Sequence, residues 1–311
     1  MTSNAILFAG QGAQFVGMGK DLADAVPACR ALFDRANAVL GFDLAKLCFE
    51  GPIETLTRSD NCQPAIFVVS LACYTAFRQR LPDCAPTGAA GLSLGEWTAL
   101  HAAGVISFDD TLKILRARGQ YMQTACDEQP GGMLSVMGLP MPELEKICAA
   151  ANVQIANLNS PEQTVLSGHK AGIIEAETLA KAAGAKRTFV LNVAGAFHSR
   201  LMASAATRLS TLLASIPFAA PRFPVMSNAT GRPHGTPDEI RARMVDQVTE
   251  SVQWVADIQG FQTLGVRTYI ECGPGKILGG LVKRIDNDAA IYSIQDQATL
   301  DKAVCAISQE A

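Results

Sequence analysis

The feature that most constrains the fold of this chain is a G-x-S-x-G pentapeptide, Gly91-Leu92-Ser93-Leu94-Gly95. It follows a strand-like stretch and precedes residues 96–103, which have good helix-forming content. This placement is typical of a nucleophile elbow, a sharp turn that holds a serine hydroxyl clear of a sheet at a helix N-terminus. Glycines flank the serine because the strained turn leaves no room for side chains beside it. An ordinary strand-to-helix turn would also explain the pentapeptide, so its neighbours must decide.

Composition excludes several classes of protein. The 311 residues carry a formal net charge of −3, which gives no general attraction to nucleic acid or to anionic membranes. Nine scattered cysteines without a C-x-x-C pair indicate buried thiols in a reducing compartment, with neither a zinc site nor a disulfide framework. The N-terminus lacks the features of a secretory signal, and no apolar run could span a membrane. We expect a soluble, cytoplasmic protein without metal or cofactor.

Strand-like apolar runs alternate with longer helical patterns along the chain, which favours an α/β layer architecture. Residues 5–9 predict a short buried strand that ends in the glycine-rich turn Gly10-Gln11-Gly12. Helices are predicted over residues 27–40, 64–80, 107–125, 198–215, 237–247 and 254–264, and a further strand over residues 268–271.

The pattern between residues 131 and 193 differs from the rest. Strand-like segments are predicted over 133–138, 153–157, 164–168 and 187–193, with helices over 141–151 and 171–183. This β-α-β-β-α-β order resembles a ferredoxin-like lobe. We therefore predict a small lobe over residues 128–193, inserted into a large catalytic α/β lobe formed by residues 1–127 and 194–311.

A serine nucleophile needs a base, and the chain contains four histidines, His101, His169, His198 and His234. His101 lies two turns beyond Ser93 on the same predicted helix and points away from the elbow. His169 is predicted to be a turn residue in the insert, and His234 to lie in an exposed loop over residues 231–235. His198 stands where the chain leaves the insert and starts a helix, so its ring can project back into a cleft. His198 is therefore the candidate base, although spacing alone does not exclude a structural role.

Five motifs occur in an order seen in a known family. They are Gly10-Gln11-Gly12-Ala13-Gln14, Gly91-Leu92-Ser93-Leu94-Gly95-Glu96, Arg118-Gly119, Gly195-Ala196-Phe197-His198-Ser199 and Glu271-Cys272-Gly273-Pro274-Gly275-Lys276. Together they resemble the malonyl-CoA:acyl-carrier-protein transacylases of fatty acid synthesis and the related acyltransferase domains of polyketide synthases. The resemblance runs from about residue 5 to about residue 285. It implies an α/β-hydrolase-like large lobe with an inserted ferredoxin-like small lobe.

The resemblance also implies a role for each catalytic position. Ser93 would take the acyl group from coenzyme A as an ester, and His198 would move the proton. A main-chain carbonyl, that of Gln247, would orient the histidine in place of a triad aspartate, so the Gln247 side chain is expected to matter less than its backbone. The backbone amides of Gln11 and Leu94 would form the oxyanion hole.

Substrate selection rests on other positions. The resemblance assigns Arg118 to the free carboxylate of malonate, whereas the sequence without it would favour a helix-surface arginine. Phe197 stands where a bulky aromatic residue accompanies malonyl rather than methylmalonyl use. Leu92 departs from the histidine that many members carry before the serine, which puts in doubt any hydrogen bond from that position to the acyl group. Asn157 and Asn159 resemble a family turn, with a structural or pantetheine-adjacent role.

The implied activity is that of an acyl-carrier-protein S-malonyltransferase. Malonyl would pass from malonyl-CoA to the phosphopantetheine thiol of acyl carrier protein through a malonyl-serine intermediate, in ping-pong order. The partners would be the coenzyme A thioester and acyl carrier protein, a small acidic helical domain. Six basic residues of this chain are candidates for contact with that acidic domain, although each could equally be an ordinary solvated charge. They are Lys181, Lys186, Arg187, Lys276, Lys283 and Arg284. A free-standing polyketide-synthase acyltransferase and a serine hydrolase such as a thioesterase remain open alternatives.

Overall fold

The computed structural model of the protein describes residues 3–310. In chain order the strands are β1 (Asn4–Phe8), β2 (Gly88–Gly91), β3 (Gly131–Met137), β4 (Gln154–Ser160), β5 (Gln163–His169), β6 (Arg187–Val190), β7 (Met226–Ser227), β8 (Arg232–Pro233), β9 (Thr268–Cys272) and β10 (Ala290–Ile294). The helices are α1 (Lys20–Ala25), α2 (Pro27–Leu40), α3 (Leu44–Glu50), α4 (Ile53–Thr57), α5 (Ser59–Arg80), α6 (Leu94–Ala102), α7 (Phe108–Glu128), α8 (Met141–Ala151), α9 (Lys170–Ala182), α10 (Ala203–Leu213), α11 (Pro237–Asp246), α12 (Trp254–Thr263), α13 (Ile277–Ile285) and α14 (Gln297–Glu310). A short 3₁₀ helix, Arg200–Met202, precedes α10.

One sheet is parallel, with the strand order β10-β9-β1-β2. Every residue of β1, β2 and β9 is buried, as expected for parallel strands that are covered on both faces. The central strand β1 aligns its last residue, Phe8, with Gly91 of β2 and Cys272 of β9. The turns that follow these strands, which include the pentapeptide around Ser93, therefore meet at one edge of the sheet.

A second, separate sheet is antiparallel, with the strand order β4-β5-β3-β6. It has its own core, in which side chains of α8 and α9 such as Ile147 and Ile173 pack with Leu134 and Leu166 of the strands. Backbone hydrogen bonds attach this sheet to the segment after α11, because Val252 exchanges one with Leu158 (2.9 Å) and one with Ala156 (2.8 Å). The segment that carries Gln247 is thereby held near the small sheet.

The helix α5 begins five residues before the predicted start at residue 64. Pro64 lies inside it and has no N–H to offer the carbonyl oxygen of Asp60 one turn earlier. Arg116 on α7 donates to that carbonyl oxygen from Nη1 over 2.8 Å. A side chain from a neighbouring helix thus satisfies the carbonyl oxygen that the proline leaves unpaired. The helix can therefore begin before the proline, at Ser59.

Other predicted elements agree closely with the structure. The helix α2 spans the predicted residues, while α11 and α12 each end one residue early. The predicted helix over residues 198–215 is instead a 3₁₀ turn followed by α10. Across residues 3–310, no helix combines the length and the apolar character needed to cross a bilayer.

Candidate active site

Ser93 sits on a strained turn between β2 and α6. Its backbone has φ 56° and ψ −103°, a conformation that non-glycine residues rarely adopt. The flanking glycines permit it, since a Cβ on Gly91 would lie 2.0 Å from the backbone carbon of Gly95, and one on Gly95 would lie 2.2 Å from the carbonyl oxygen of Phe8. The turn is therefore compressed against both α6 and β1, and it holds the Ser93 hydroxyl at the N-terminus of the helix.

Asn228 stabilises this turn from a distant part of the chain. Its Oδ1 accepts from the Ser93 backbone N–H over 2.7 Å, and its Nδ2 donates to the Gly91 carbonyl oxygen over 3.0 Å. The same Nδ2 donates to Asp257 over 2.9 Å. Burial, together with the nearby Glu96 charge, raises the pKa of Asp257 well above its ordinary value. Asn228 was not predicted, because nothing local to residues 226–230 connects it with the pentapeptide.

His198 lies directly against the Ser93 hydroxyl. Its Nε2 is 2.8 Å from Ser93 Oγ, and its Nδ1 is 2.8 Å from the carbonyl oxygen of Gln247. Since that carbonyl oxygen can only accept, Nδ1 carries the proton and Nε2 is free to accept from the serine. Burial, and secondly the charge of Arg118, lower the pKa of His198 to about 4. The ring is thus a neutral base at ordinary pH.

Arg118 completes the contacts of the Ser93 hydroxyl. Its side chain is only 1 % exposed, and Nη2 donates to Ser93 Oγ over 3.0 Å, while Nη1 donates to Gln63 Oε1 over 2.7 Å. Gly119 lets α7 pack closely against the start of α5, because a Cβ at this position would lie 2.3 Å from the carbonyl oxygen of Ser59. This close packing helps to bury the neighbouring Arg118. Burial lowers the pKa of Arg118 to about 10, and the charge of Glu96 opposes that shift. A helix-surface position for this residue is excluded.

The Gln247 side chain makes several contacts within the site, although the resemblance implied that it matters less than the backbone. Its Oε1 accepts from Arg118 Nη2 over 2.9 Å, and its Nε2 donates to the Ser93 carbonyl oxygen over 2.9 Å and to Glu96 Oε2 over 2.5 Å. The residue is fully buried. Gln247 therefore contacts the base through its carbonyl, and the arginine and the elbow through its amide.

His234 lies in a loop with exposed neighbours, as predicted, but its own side chain is not exposed. The side chain is completely buried, and its Nε2 lies 2.7 Å from Oε1 of Glu96, which is equally buried. The hairpin of β7 and β8 turns the chain back, and the His234 backbone N–H then donates to the Val225 carbonyl oxygen over 2.8 Å. His101, by contrast, packs between Phe67 and Phe108 as its position on α6 indicated.

The site opens into a cleft of about 1010 Å³ between the two sheets. Among the residues singled out from the sequence, those that line it are Gln11, Leu92, Ser93, Arg118, Asn157, Asn159, Arg187, Phe197, His198, Lys276 and Arg284. Leu94 is buried at the start of α6. Lys181 and Lys186 form ion pairs with Glu177 and Glu162, respectively. Lys283 Nζ donates to the Asn287 carbonyl oxygen. Within residues 3–310, no group of three or more His, Cys, Asp or Glu side chains is arranged to hold a metal ion.

The chain is similar over its length to acyltransferases of known family. Residues 6–284 match the acyl transferase domain family. The malonyl CoA-acyl carrier protein transacylase of Bacillus subtilis (strain 168) is 38% identical over 315 residues, covering 100% of this chain and 99% of the relative. The transacylase of the same name from Escherichia coli (strain K12) is 39% identical over 308 residues, covering 98% and 99%. A solved malonyl-transacylase, in complex with its type II polyketide synthase acyl-carrier protein, matches with a TM-score of 0.95 at 36% identity, covering 98% of this chain and 100% of that one.

Proposed function

The chain belongs to the malonyl-CoA:acyl-carrier-protein transacylase family, and we propose that it performs the reaction of that family through Ser93, His198 and Arg118. It transfers a malonyl group from malonyl-CoA to acyl carrier protein. One observation carries the assignment of residues: His198 Nε2 and Arg118 Nη2 converge on Ser93 Oγ at 2.8 and 3.0 Å. A base and a fixed cation thus face one hydroxyl in a buried site.

In the first half-reaction, Ser93 Oγ attacks the thioester carbonyl of malonyl-CoA while its proton passes to His198 Nε2. The tetrahedral intermediate collapses as the carbon–sulfur bond breaks. The leaving coenzyme A thiolate then accepts from His198 the proton that came from Ser93. In the second half-reaction, the phosphopantetheine thiol gives its proton to His198 and attacks the malonyl ester. Ser93 then leaves with that proton. The Gln247 carbonyl keeps the ring oriented through both halves.

We assign the oxyanion hole to the backbone amides of Gln11 and Leu94. Leu94 is the first residue of α6, and the N–H groups of a first helical turn have no partner within the helix. Gln11 lies beside the elbow, since a Cβ on the preceding Gly10 would come within 2.6 Å of the carbonyl oxygen of Leu92. These two observations support the assignment of both amides to the negative charge that develops on the attacked carbonyl oxygen.

Arg118 selects acyl groups that carry a second carboxylate. In a malonyl-serine ester, one methylene separates the ester carbonyl from the free carboxylate, so a guanidinium 3.0 Å from Ser93 Oγ is within reach of it. Such a charge-assisted hydrogen bond is roughly twice as strong as a neutral one. Phe197 lines the same cleft, and we assign it to the exclusion of branched acyl groups.

Acyl carrier protein is the expected acceptor. The solved complex described above pairs a malonyl-transacylase with its acyl-carrier protein. Three of the basic residues identified from the sequence, Arg187, Lys276 and Arg284, line the cleft, and they are the candidates for contact with an acidic carrier domain. Among these three, Arg284 also donates to Gln163 Oε1 over 2.9 Å. The other three basic residues contact Glu177, Glu162 and the Asn287 carbonyl oxygen.

We further propose the division into lobes predicted from the sequence. The antiparallel sheet lies wholly within residues 128–193, and its β-α-β-β-α-β order supports a ferredoxin-like insert. The parallel sheet and its elbow support an α/β-hydrolase-like large lobe formed by residues 1–127 and 194–311. All nine cysteines are free thiols, which fits a reducing, cytoplasmic location.

The test is the intact mass of the protein after brief incubation with malonyl-CoA, beside a Ser93→Ala control. We expect an adduct of malonyl size that is absent from the control and is removed by added acyl carrier protein. Accumulation of free malonate without a transferable adduct would instead indicate a hydrolase. An adduct that persists in the control would exclude Ser93 as the nucleophile.

A further inference from the structure

Glu96 and His234 form a buried pair that the transfer steps do not use. Glu96 lies in the first turn of α6, three residues after the nucleophile, and His234 follows β8. Both side chains are 0 % exposed, and His234 Nε2 donates to Glu96 Oε1 over 2.7 Å. Across the described residues, His234 Nδ1 is buried without a hydrogen-bond partner. Nε2 is therefore the ring nitrogen that contacts the carboxylate, and its N–H points at Oε1.

The pair is connected to the substrate-selecting arginine through one amide. Glu96 Oε2 accepts from Gln247 Nε2 over 2.5 Å, and on the other side Gln247 Oε1 accepts from Arg118 Nη2 over 2.9 Å. A carboxylate has only acceptors and an amide has a distinct donor end. The same Nε2 also donates to the Ser93 carbonyl oxygen over 2.9 Å. Glu96 and that carbonyl together hold the donor end of the amide, so the Gln247 oxygen faces the guanidinium.

The same carboxylate also balances charge. Arg118 is buried and forms no direct ion pair with an acid of residues 3–310, and the charge of Glu96 opposes the effect of burial on its pKa. The other titratable groups near Arg118 do not supply this negative charge. Burial disfavours the charged forms of both Asp257 and His198, and the ring of His234 already donates to Glu96 itself.

We propose that Glu96 and His234 are positioning residues, which act through Gln247 to hold Arg118 charged and correctly aimed, and so set the preference of Ser93 for dicarboxylic acyl groups. The proposal rests on the role of Arg118 given under the proposed function. A glutamine at position 96 keeps the shape but brings its own NH₂ group. The Gln247 amide could then turn over and point N–H groups at the guanidinium.

The experiment measures kcat/KM for acylation with malonyl and with acetyl thioesters from pH 7 to pH 10, in the wild-type protein and in Glu96→Gln. The malonyl-to-acetyl ratio isolates the carboxylate contact, since acetyl has no second carboxylate. We expect Glu96→Gln to lower this ratio by about tenfold or more and to move its alkaline decline down by about one pH unit, a tenfold change in the protonation equilibrium. The sign follows because removal of a nearby negative charge disfavours the protonated guanidinium.

Glu271→Gln is the matched control. Glu271 is also a buried carboxylate, and it accepts from the N–H groups of Leu278 and Gly279 at the start of α13, over 2.9 Å each. Its replacement should lower the thermal midpoint without moving the ratio or its pH profile. If Glu271→Gln alters both as strongly as Glu96→Gln does, the effect is general and the proposal fails.

Arg118→Ala separates the possible failures. If Arg118→Ala leaves the malonyl-to-acetyl ratio unchanged, the proposed role of Arg118 fails and the inference falls with it. If Arg118→Ala abolishes the preference while a folded Glu96→Gln retains it, only the inference is wrong. If Glu96→Gln does not fold, two variants of His234 test the proposal instead. His234→Leu removes the N–H donor to Glu96, and His234→Gln keeps a donor. A malonyl-to-acetyl ratio that is lowered in His234→Leu and restored in His234→Gln supports the proposed role of Glu96 and His234, whereas equal ratios in the two variants overturn it.

Discussion

The buried position of His198 predicts that acylation remains fast well into the acid range. A histidine with the ordinary pKa of 6.5 would be about nine-tenths protonated at pH 5.5 and would lose about tenfold in rate as a base. With its pKa lowered to about 4, His198 is only about 3% protonated at that pH. The rate should therefore be nearly unchanged at pH 5.5 and should decline only as the pH falls through about 4.

The assay must report the free enzyme and must avoid other titrating groups. The phosphates of coenzyme A ionise in this range, so the substrate is the acetyl thioester of N-acetylcysteamine, which has no titrating group there. Single-turnover acylation of Ser93, followed by intact mass after rapid quenching, gives kcat/KM at each pH. The pKa that appears in this profile belongs to the free enzyme.

Two causes lower the His198 pKa, and a variant separates them. Burial acts first and the Arg118 charge second, so Arg118→Gln should move the acid limb to higher pH while leaving it below 6.5. A wild-type limb centred near 6.5 would refute this reasoning, because it would show that the ring is solvated or is not the base. A limb that does not move in Arg118→Gln would contradict the electrostatic part alone.

Three further predictions follow from contacts of the elbow and the cleft. Gly91→Ala would place a Cβ 2.0 Å from the backbone of Gly95 and should abolish the acyl adduct. The control Gly132→Ala, whose new Cβ would have its nearest contact 3.8 Å away, should acylate normally. Adduct formation in Gly91→Ala would show that the turn around Ser93 is not sterically compressed. Asn228→Ala should reduce the free energy of unfolding in urea by about 1–3 kcal/mol for each buried group that it leaves unpaired, and it should slow acylation of Ser93; an unchanged midpoint and rate would contradict its role. Phe197→Ser should raise methylmalonyl loading relative to malonyl loading in competition, and an unaltered ratio would remove Phe197 from acyl selection.

Local patterns predicted the parts of the site that are built by neighbouring residues. The pentapeptide located the elbow because its steric requirement falls on positions beside Ser93 itself. His198 was predicted as the candidate base because it stands where the chain leaves the insert and starts a helix, which is also a local signal. Helix α2 was predicted to the residue because Pro27 opens it and Gly41 ends it in the left-handed conformation, at φ 73°, both of which are local signals.

The groups that the sequence did not reveal act across long separations in the chain. Asn228 lies 135 residues from the backbone N–H that it holds, and His234 lies 138 residues from Glu96. The composition of residues 231–235 indicated an exposed loop. It could not indicate that the His234 ring is buried, because burial of that ring depends on what the rest of the fold packs against it.

The arrangement around Ser93 makes the proposed roles of His198 and Arg118 depend on each other. Arg118 is one cause of the lowered His198 pKa, and it is also the group that we assign to the malonyl carboxylate. A carboxylate bound at Arg118 would offset the arginine charge and let the His198 pKa rise toward the working pH, where a base is most effective. An acetyl group offers no such compensation. Discrimination would then arise from two effects of one contact, namely tighter binding of the dicarboxylic acyl group and a stronger base in its presence.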